Sequence, residues 1–329
     1  MIAIPREDLL LKTQIDEMTS PIRFVVRHIN KIAYTIAKER GGELVPLIKP
    51  LSLHVTNGDR WEFSIRPGTG EIEISRRAME ILWSVAYGYY VVYRRIAEAK
   101  VAAGGADVVL DLTTDSELFD AVGLLRWGLY EFLAPATGSP PIEMPSSGPR
   151  PIESPEEGSN ERAADELALC AAGFFLHHEI GHQVLGHQRV TGDNDLSKAD
   201  SISQERDADY HAGDWILGAQ DPSDQRFVKR ALGIAVALVV DVARTIHADI
   251  HGGHSHPRPY DRLIHLFDRY LANDGWNVTW AFIVAALKLH FDNSPVTLPS
   301  RAKGHADFRA AVDAYVDVLA GRQAEPVED

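Results

Sequence analysis

The sequence predicts a mainly helical α+β fold with a small β-sheet, on three observations. Apolar residues recur at helical spacing through most of the chain. One pair of short alternating segments flanks a Pro/Gly turn, which is a hairpin signal. The 329 residues are 45% hydrophobic, 24% charged and 8% aromatic, enough apolar material for a conventional packed core.

Residues 21–40 (PIRFVVRHINKIAYTIAKER) carry helical periodicity and stop at Gly41-Gly42. WEFSIR, then Pro67-Gly68-Thr69-Gly70, then EIEIS make the hairpin. Arg76 to about Val101 returns to helix, and its stripe of Trp83, Tyr87 and Tyr90 reads as core. Thr114 or Asp115 caps a helix running to about Leu133. Residues 134–158 are rich in Pro, Gly, Ser and Glu and cannot bury enough apolar surface to order themselves alone, so they form a mobile loop, either a cover for a cleft or an idle linker. Ser159 or Asn160 caps a long helix over about 161–188, and further helices follow at about 201–218, 224–249, 258–272, 278–291 and 305–320. The tail GRQAEPVED is acidic and frayed. The N-terminal helical and hairpin part, 1–133, is short of an independent core. The loop is therefore an insertion within one domain spanning 1–329, whose helical part 159–320 holds the candidate site.

The net charge of −14 repels phosphate backbones and no local basic patch offsets it, which excludes a nucleic-acid partner. The one cysteine, Cys170, allows no intramolecular disulfide and fits a reducing, cytoplasmic setting. It lies in the apolar run Leu167 to Leu176 and reads as a small core residue. The N-terminus lacks a basic segment followed by a long apolar one, so secretion is not expected. The most apolar stretch, Ala231 to Val240, breaks at Asp241 after about half the length a membrane span needs, and reads as a buried helix.

The chemistry concentrates in His178-Glu179-Ile180-Gly181-His182. Two histidines four residues apart project from one helix face, about 40° from each other. They can bind one zinc ion, with Glu179 beside the first in reach of an attacking water. The polar residues interrupt an apolar run, which is costly unless they have partners or a metal. A catalytic zinc site keeps three protein ligands and an open fourth position. His187 is a candidate third ligand only if the helix ends early, since five residues on it lies about 140° around a continuing helix. A third histidine six residues after His182 is ruled out, because Gln188 stands there. Glu205 in SQERDADYHAGDWIL is the better candidate. Asp209 shares its helical face and can accept a hydrogen bond from a ligand imidazole, while Ala208 and Ala212 allow close helix packing. His177 points away and reads as structural, and Asp207 and Asp214 as solvated or capping. Downstream, His247, His251, His254 and His256 precede Arg262. They are a second metal site, plain capping and salt-bridging, or, for His256 and Arg262, donors to an oxyanion.

HEIGH, then Glu205, Ala208, Asp209 and Ala212, then Ser255-His256-Pro257 with Arg262-Leu263, resemble the gluzincin zinc metallopeptidases of the HtpX and CAAX-prenyl-protease type. The resemblance covers about residues 170–265, and the soluble Lit-like phage-exclusion peptidases are the more similar group in size and motif order. It implies a zincin-like helical core, Zn²⁺ on His178, His182 and Glu205, catalysis by Glu179, support from Asp209, His256 and Arg262, and a protein or peptide substrate. The strand Glu71 to Ser75 is a candidate for pairing with an extended substrate, or is simply core. The alternative to an endopeptidase, regulated or phage-defensive, is a latent or non-catalytic zinc-binding regulatory protein. Against it, a structural site has no use for Glu179 and closes its fourth position.

Overall fold

The computed structural model describes residues 14–40, 52–65, 71–105, 108–187, 197–218, 221, 224–248, 257–271, 277–290 and 305–324. They form a mainly helical molecule with one small sheet. The first expected helix is split into α1 (Arg23–Val26) and α2 (Ile29–Glu39). At the junction His28 N–H bonds three residues back to Val25, tightening the chain into a turn.

The sheet joins β1 (Ser52–Thr56), β2 (Phe63–Ile65) and β3 (Glu71–Ser75) in the order β1-β3-β2. The hairpin pairing is as expected, antiparallel with Phe63 opposite Ile74 and Ile65 opposite Ile72. The Pro67–Gly70 turn lies outside the described residues. Strand β1, whose Leu53 and Val55 alternate as a strand should, adds to β3 in parallel, with Ser52 opposite Glu71. This corrects the reading of Glu71–Ser75 as a docking strand: β3 is central, and both its edges are already paired. Among the described residues, the outer strands of the sheet are β1 and β2.

Ser75 closes β3 and caps the next helix, its hydroxyl accepting from Ala78 N–H. That helix, α3 (Arg76–Ala102), packs against α4 (Ser116–Thr137), which is capped by Asp115. Helix α4 runs to Thr137, past the expected stop near Leu133 and through Pro135. Gly138, at φ 70°, then ends it. Residues 139–158 follow as irregular chain. Ile142 holds this segment to the helices: its carbonyl accepts from Arg77 Nη1 (3.0 Å) and Trp127 Nε1 (3.1 Å), and its N–H donates to Glu131 Oε1 (2.6 Å). Arg77 is buried and ion-paired with Glu80 (3.3 Å) and Glu131 (3.5 Å).

Ser159 caps α5 (Asn160–Val184), and α6 (Lys198–Leu217), α7 (Gln225–Ala248), α8 (Pro259–Tyr270), α9 (Asn277–His290) and α10 (His305–Ala324) follow. Helix α5 packs against α3, α6, α7 and α2. It meets α7 so closely at Gly233 that a Cβ there would lie 2.2 Å from Cys170 Cβ. Cys170 therefore sits at the helix crossing, partly buried rather than in the core proper, and burial pushes its thiol pKa up to about 11. The apolar run of α7 is buried from Ile234 to Val240, and no helix among the described residues is long and apolar enough to cross a membrane. One hydrophobic cluster contains side chains from Ile15 to Leu319, with Trp83 fully buried in it.

Trp83 Nε1 donates to Asp165 Oδ1 on α5 at 2.7 Å. Burial outweighs that bond and pushes the Asp165 pKa up to about 6. A carboxyl raised in the folded state stabilises fully below its unfolded pKa and loses that contribution as pH rises through the folded value. Asp165→Asn is therefore expected to match the wild type near pH 4 and to exceed it by about 1–3 kcal/mol at pH 7.5. Urea unfolding at the two pH values checks this, and a pH-independent difference would refute it.

Candidate metal centre

The site is assembled where α6 crosses α5. Gly181, inside the HEIGH run, permits the approach: a Cβ there would stand 3.2 Å from Ala208 Cα and 3.3 Å from Ala208 O. Ala208 and Ala212, fully buried, present the matching small surface on α6. This seats Glu205 over the two motif histidines. A Gly181→Val substitution is expected to push α6 outward and weaken metal binding at least about tenfold, since a branched side chain cannot fit in that gap. Chelator competition for Zn²⁺ measures it.

Three side chains converge. His178 Nε2 and His182 Nε2 are 3.1 Å apart, His178 Nε2 is 3.3 Å from Glu205 Oε2, and His182 Nε2 is 3.4 Å from Glu205 Oε1. Among the described residues, these three form the one group of histidine, cysteine and carboxylate side chains arranged to hold a metal ion. Metal–ligand bonds of about 2.0–2.1 Å in a tetrahedron place neighbouring ligand atoms about 3.3 Å apart, so the cluster has the right size for zinc. All three side chains are largely buried, and without a metal ion or a proton between them two imidazole lone pairs and a carboxylate would face one another.

The tautomers are set from behind. His178 Nδ1 lies 2.9 Å from Asp209 Oδ1, so the proton sits on Nδ1 and Nε2 turns its lone pair to the cluster. Burial disfavours the imidazolium of His178, but Asp209 and Glu205 outweigh it and raise its pKa to about 9 in the metal-free protein. A proton and a metal thus compete for the same nitrogen. Asp209 is gripped in turn by Arg262, whose Nε donates to Oδ2 (2.8 Å) and Nη2 to Oδ1 (2.7 Å), while Nη1 reaches Asp241 Oδ2 at 3.0 Å. Burial alone would raise the Asp209 carboxyl, but Arg262 and His178 hold it well below the usual carboxylate range.

The structure thus brings together His178, His182, Glu205, Asp209 and Arg262. The Arg262 guanidinium is buried and bonds Asp209 and Asp241 behind the ligand, which fits the salt-bridging alternative. His251, His254 and His256 lie outside the described residues. Glu179 is half-buried beside His178. His177 is fully buried against Trp215, with ring centroids 5.1 Å apart, and burial lowers its pKa to about 3, in keeping with a structural residue. Asp207 is exposed, and Asp214 bonds Tyr270.

Asp241 was missed from sequence, and His187, weighed there as a third ligand, meets His182 instead of joining the cluster. Asp241 directly follows the buried run of α7, and that abrupt charge was the available signal. His187 reaches His182 from the far side, Nδ1 to Nδ1 at 3.0 Å, because α5 stops at Val184 rather than near 188. Gly186, at φ 67°, was the signal for that stop.

A helix bearing two histidines and a glutamate is thus crossed by a second helix that brings a third candidate metal ligand to them. The chain belongs to the Peptidase U49 family, whose model matches residues 72–283, a span that includes all the residues of this cluster. It is similar to the cell death peptidase of Escherichia coli strain K12, 28% identical over 253 residues, covering 75% of this chain and 80% of that protein. No solved structure matches the chain. The chain is a peptidase.

Proposed function

We propose that the chain is a zinc-dependent endopeptidase of the gluzincin kind, built as one domain and acting on a protein or peptide substrate. The observation that carries this reading is the convergence of His178, His182 and Glu205 within 3.1–3.4 Å on a helix that also bears Glu179. Zinc held there would supply Lewis acidity to the scissile carbonyl oxygen and to the attacking water. Glu179 accepts a proton as the water oxygen bonds to the carbonyl carbon, then delivers it to the departing amine nitrogen as the C–N bond breaks. Asp209 keeps the His178 proton on Nδ1, and Arg262 with Asp241 keeps Asp209 ionised and aimed. In this reading Arg262 is a positioning residue rather than an oxyanion contact, and the oxyanion role falls to His256.

The similarity to a cell death peptidase supports a regulated, phage-defensive protease, and the single cysteine fits a cytoplasmic setting for it. The test is cleavage of a proteome-derived peptide library with and without 1,10-phenanthroline. Cleavage that stops on chelation and returns with added Zn²⁺ is the expected result, and cleavage indifferent to the chelator would overturn the reading. Stoichiometric zinc with no cleavage of any peptide would favour the latent regulatory alternative.

A further inference from the structure

We infer that His187 is a positioning residue for His182, supplying the hydrogen-bond acceptor that fixes the tautomer and ring plane of this metal ligand. The inference rests on the metal reading above and concerns a residue outside the expected ligand set. Its basis is the way α5 ends. Had the helix continued, His187 would stand about 140° around the axis from His182 and the two rings could not meet. Instead the helix closes at Val184, with Leu185 N–H bonded to Gly181 O at 2.9 Å. Gly186 then takes a left-handed conformation, φ 67°, that L side chains rarely adopt. The chain folds back so that His187 N–H donates to His182 O at 2.9 Å. Backbone and side chain are therefore tied to the same ligand residue.

The side-chain contact has one consistent proton arrangement. His182 Nε2 faces His178 and Glu205 and must keep its lone pair for a metal. Its proton then resides on Nδ1, 3.0 Å from His187 Nδ1, which must accept. The rings meet nearly edge to face, with centroids 5.1 Å apart and planes at 71°. The two ligand histidines are thus backed differently. His178 rests on a carboxylate gripped by a guanidinium, whereas His182 rests on an imidazole that adds no negative charge beside Glu205.

The test measures zinc dissociation constants of the full chain by chelator competition, together with thermal unfolding of the metal-free proteins. His187→Phe, which leaves the His182 N–H facing an apolar ring, is expected to weaken zinc binding by about 10–100-fold, and His187→Ala somewhat less. His187→Asn, whose Oδ1 can take the place of Nδ1, is expected to stay within about threefold of the wild type. The metal-free proteins should unfold together, since the contact acts on the ligand rather than on the core. Wild-type affinity in His187→Phe, or equal weakening in His187→Asn and His187→Phe, would overturn the assignment. So would a wild type that binds no zinc, which would remove the metal reading as well. Zinc binding that follows the expected series in a protein that cleaves no peptide would uphold the role of His187 and refute only the peptidase mechanism.

Discussion

Glu179→Gln is expected to lower peptide-bond cleavage by about 10²–10⁴-fold while leaving zinc content at the wild-type level. The amide keeps the size and much of the polarity of the side chain but cannot accept the proton that the attacking water must lose. Glu179 stands outside the three-residue cluster, so its replacement leaves the ligand atoms in place. Glu179 is half-buried and adjoins His178 in the chain. Paired metal analysis and peptide-library cleavage separate the two effects. Undiminished cleavage by the variant would remove Glu179 from the mechanism, and lost zinc would place it among the ligands instead.

The second large effect belongs to Arg262→Met. The guanidinium and the Asp209 carboxylate are both nearly inaccessible, at 8% and 5% side-chain exposure, so removing the cation strands an anion in a buried site. Breaking such a pair from one side costs about 3–5 kcal/mol. Burial would then work unopposed by Arg262 on Asp209 and raise its pKa. A carboxyl depressed in the folded state stabilises above its unfolded pKa and loses that contribution as pH falls through the folded value. The wild type should therefore be far more stable than the variant at pH 7.5, with the gap narrowing below about pH 4. Zinc affinity should fall about 10–100-fold as well, because Asp209 no longer holds His178. Denaturant unfolding of the metal-free proteins reads the first effect and chelator competition the second. A destabilisation below about 1 kcal/mol would mean that solvent screens the pair and that it adds little net stability.

Much of this was legible in the residues, because the strongest signals are local. Helical periodicity and the capping residues Asp115 and Ser159 placed the long helices, and the hairpin appeared as two alternating strands around Pro67–Gly70. The i,i+4 spacing of His178 and His182 placed both on one face. Glu205 followed from the small residues of its own helix, Ala208 and Ala212, which allow the crossing that the structure shows at Gly181. What escaped depends on contacts between distant segments. Strand β1 is short and pairs in parallel with a strand nineteen positions later in register, Ser52 with Glu71, which no local pattern encodes. The part played by Arg262 could not be read from spacing, because it depends on Asp209 and Asp241 from two other helices lying within reach at once. The helix end at Val184 was hidden for the opposite reason: Gly186 was visible, but the hydrophilic residues after it were compatible with helix, and the periodicity overrode the stop signal.

The central claim is that His178, His182 and Glu205 hold a catalytic zinc ion. Elemental analysis of the purified chain tests it most directly, with the wild type measured beside Glu205→Ala and His178→Ala. About one zinc per wild-type chain and strongly reduced zinc in both variants are expected. A zinc-free wild type, or full zinc retained by Glu205→Ala, would contradict it.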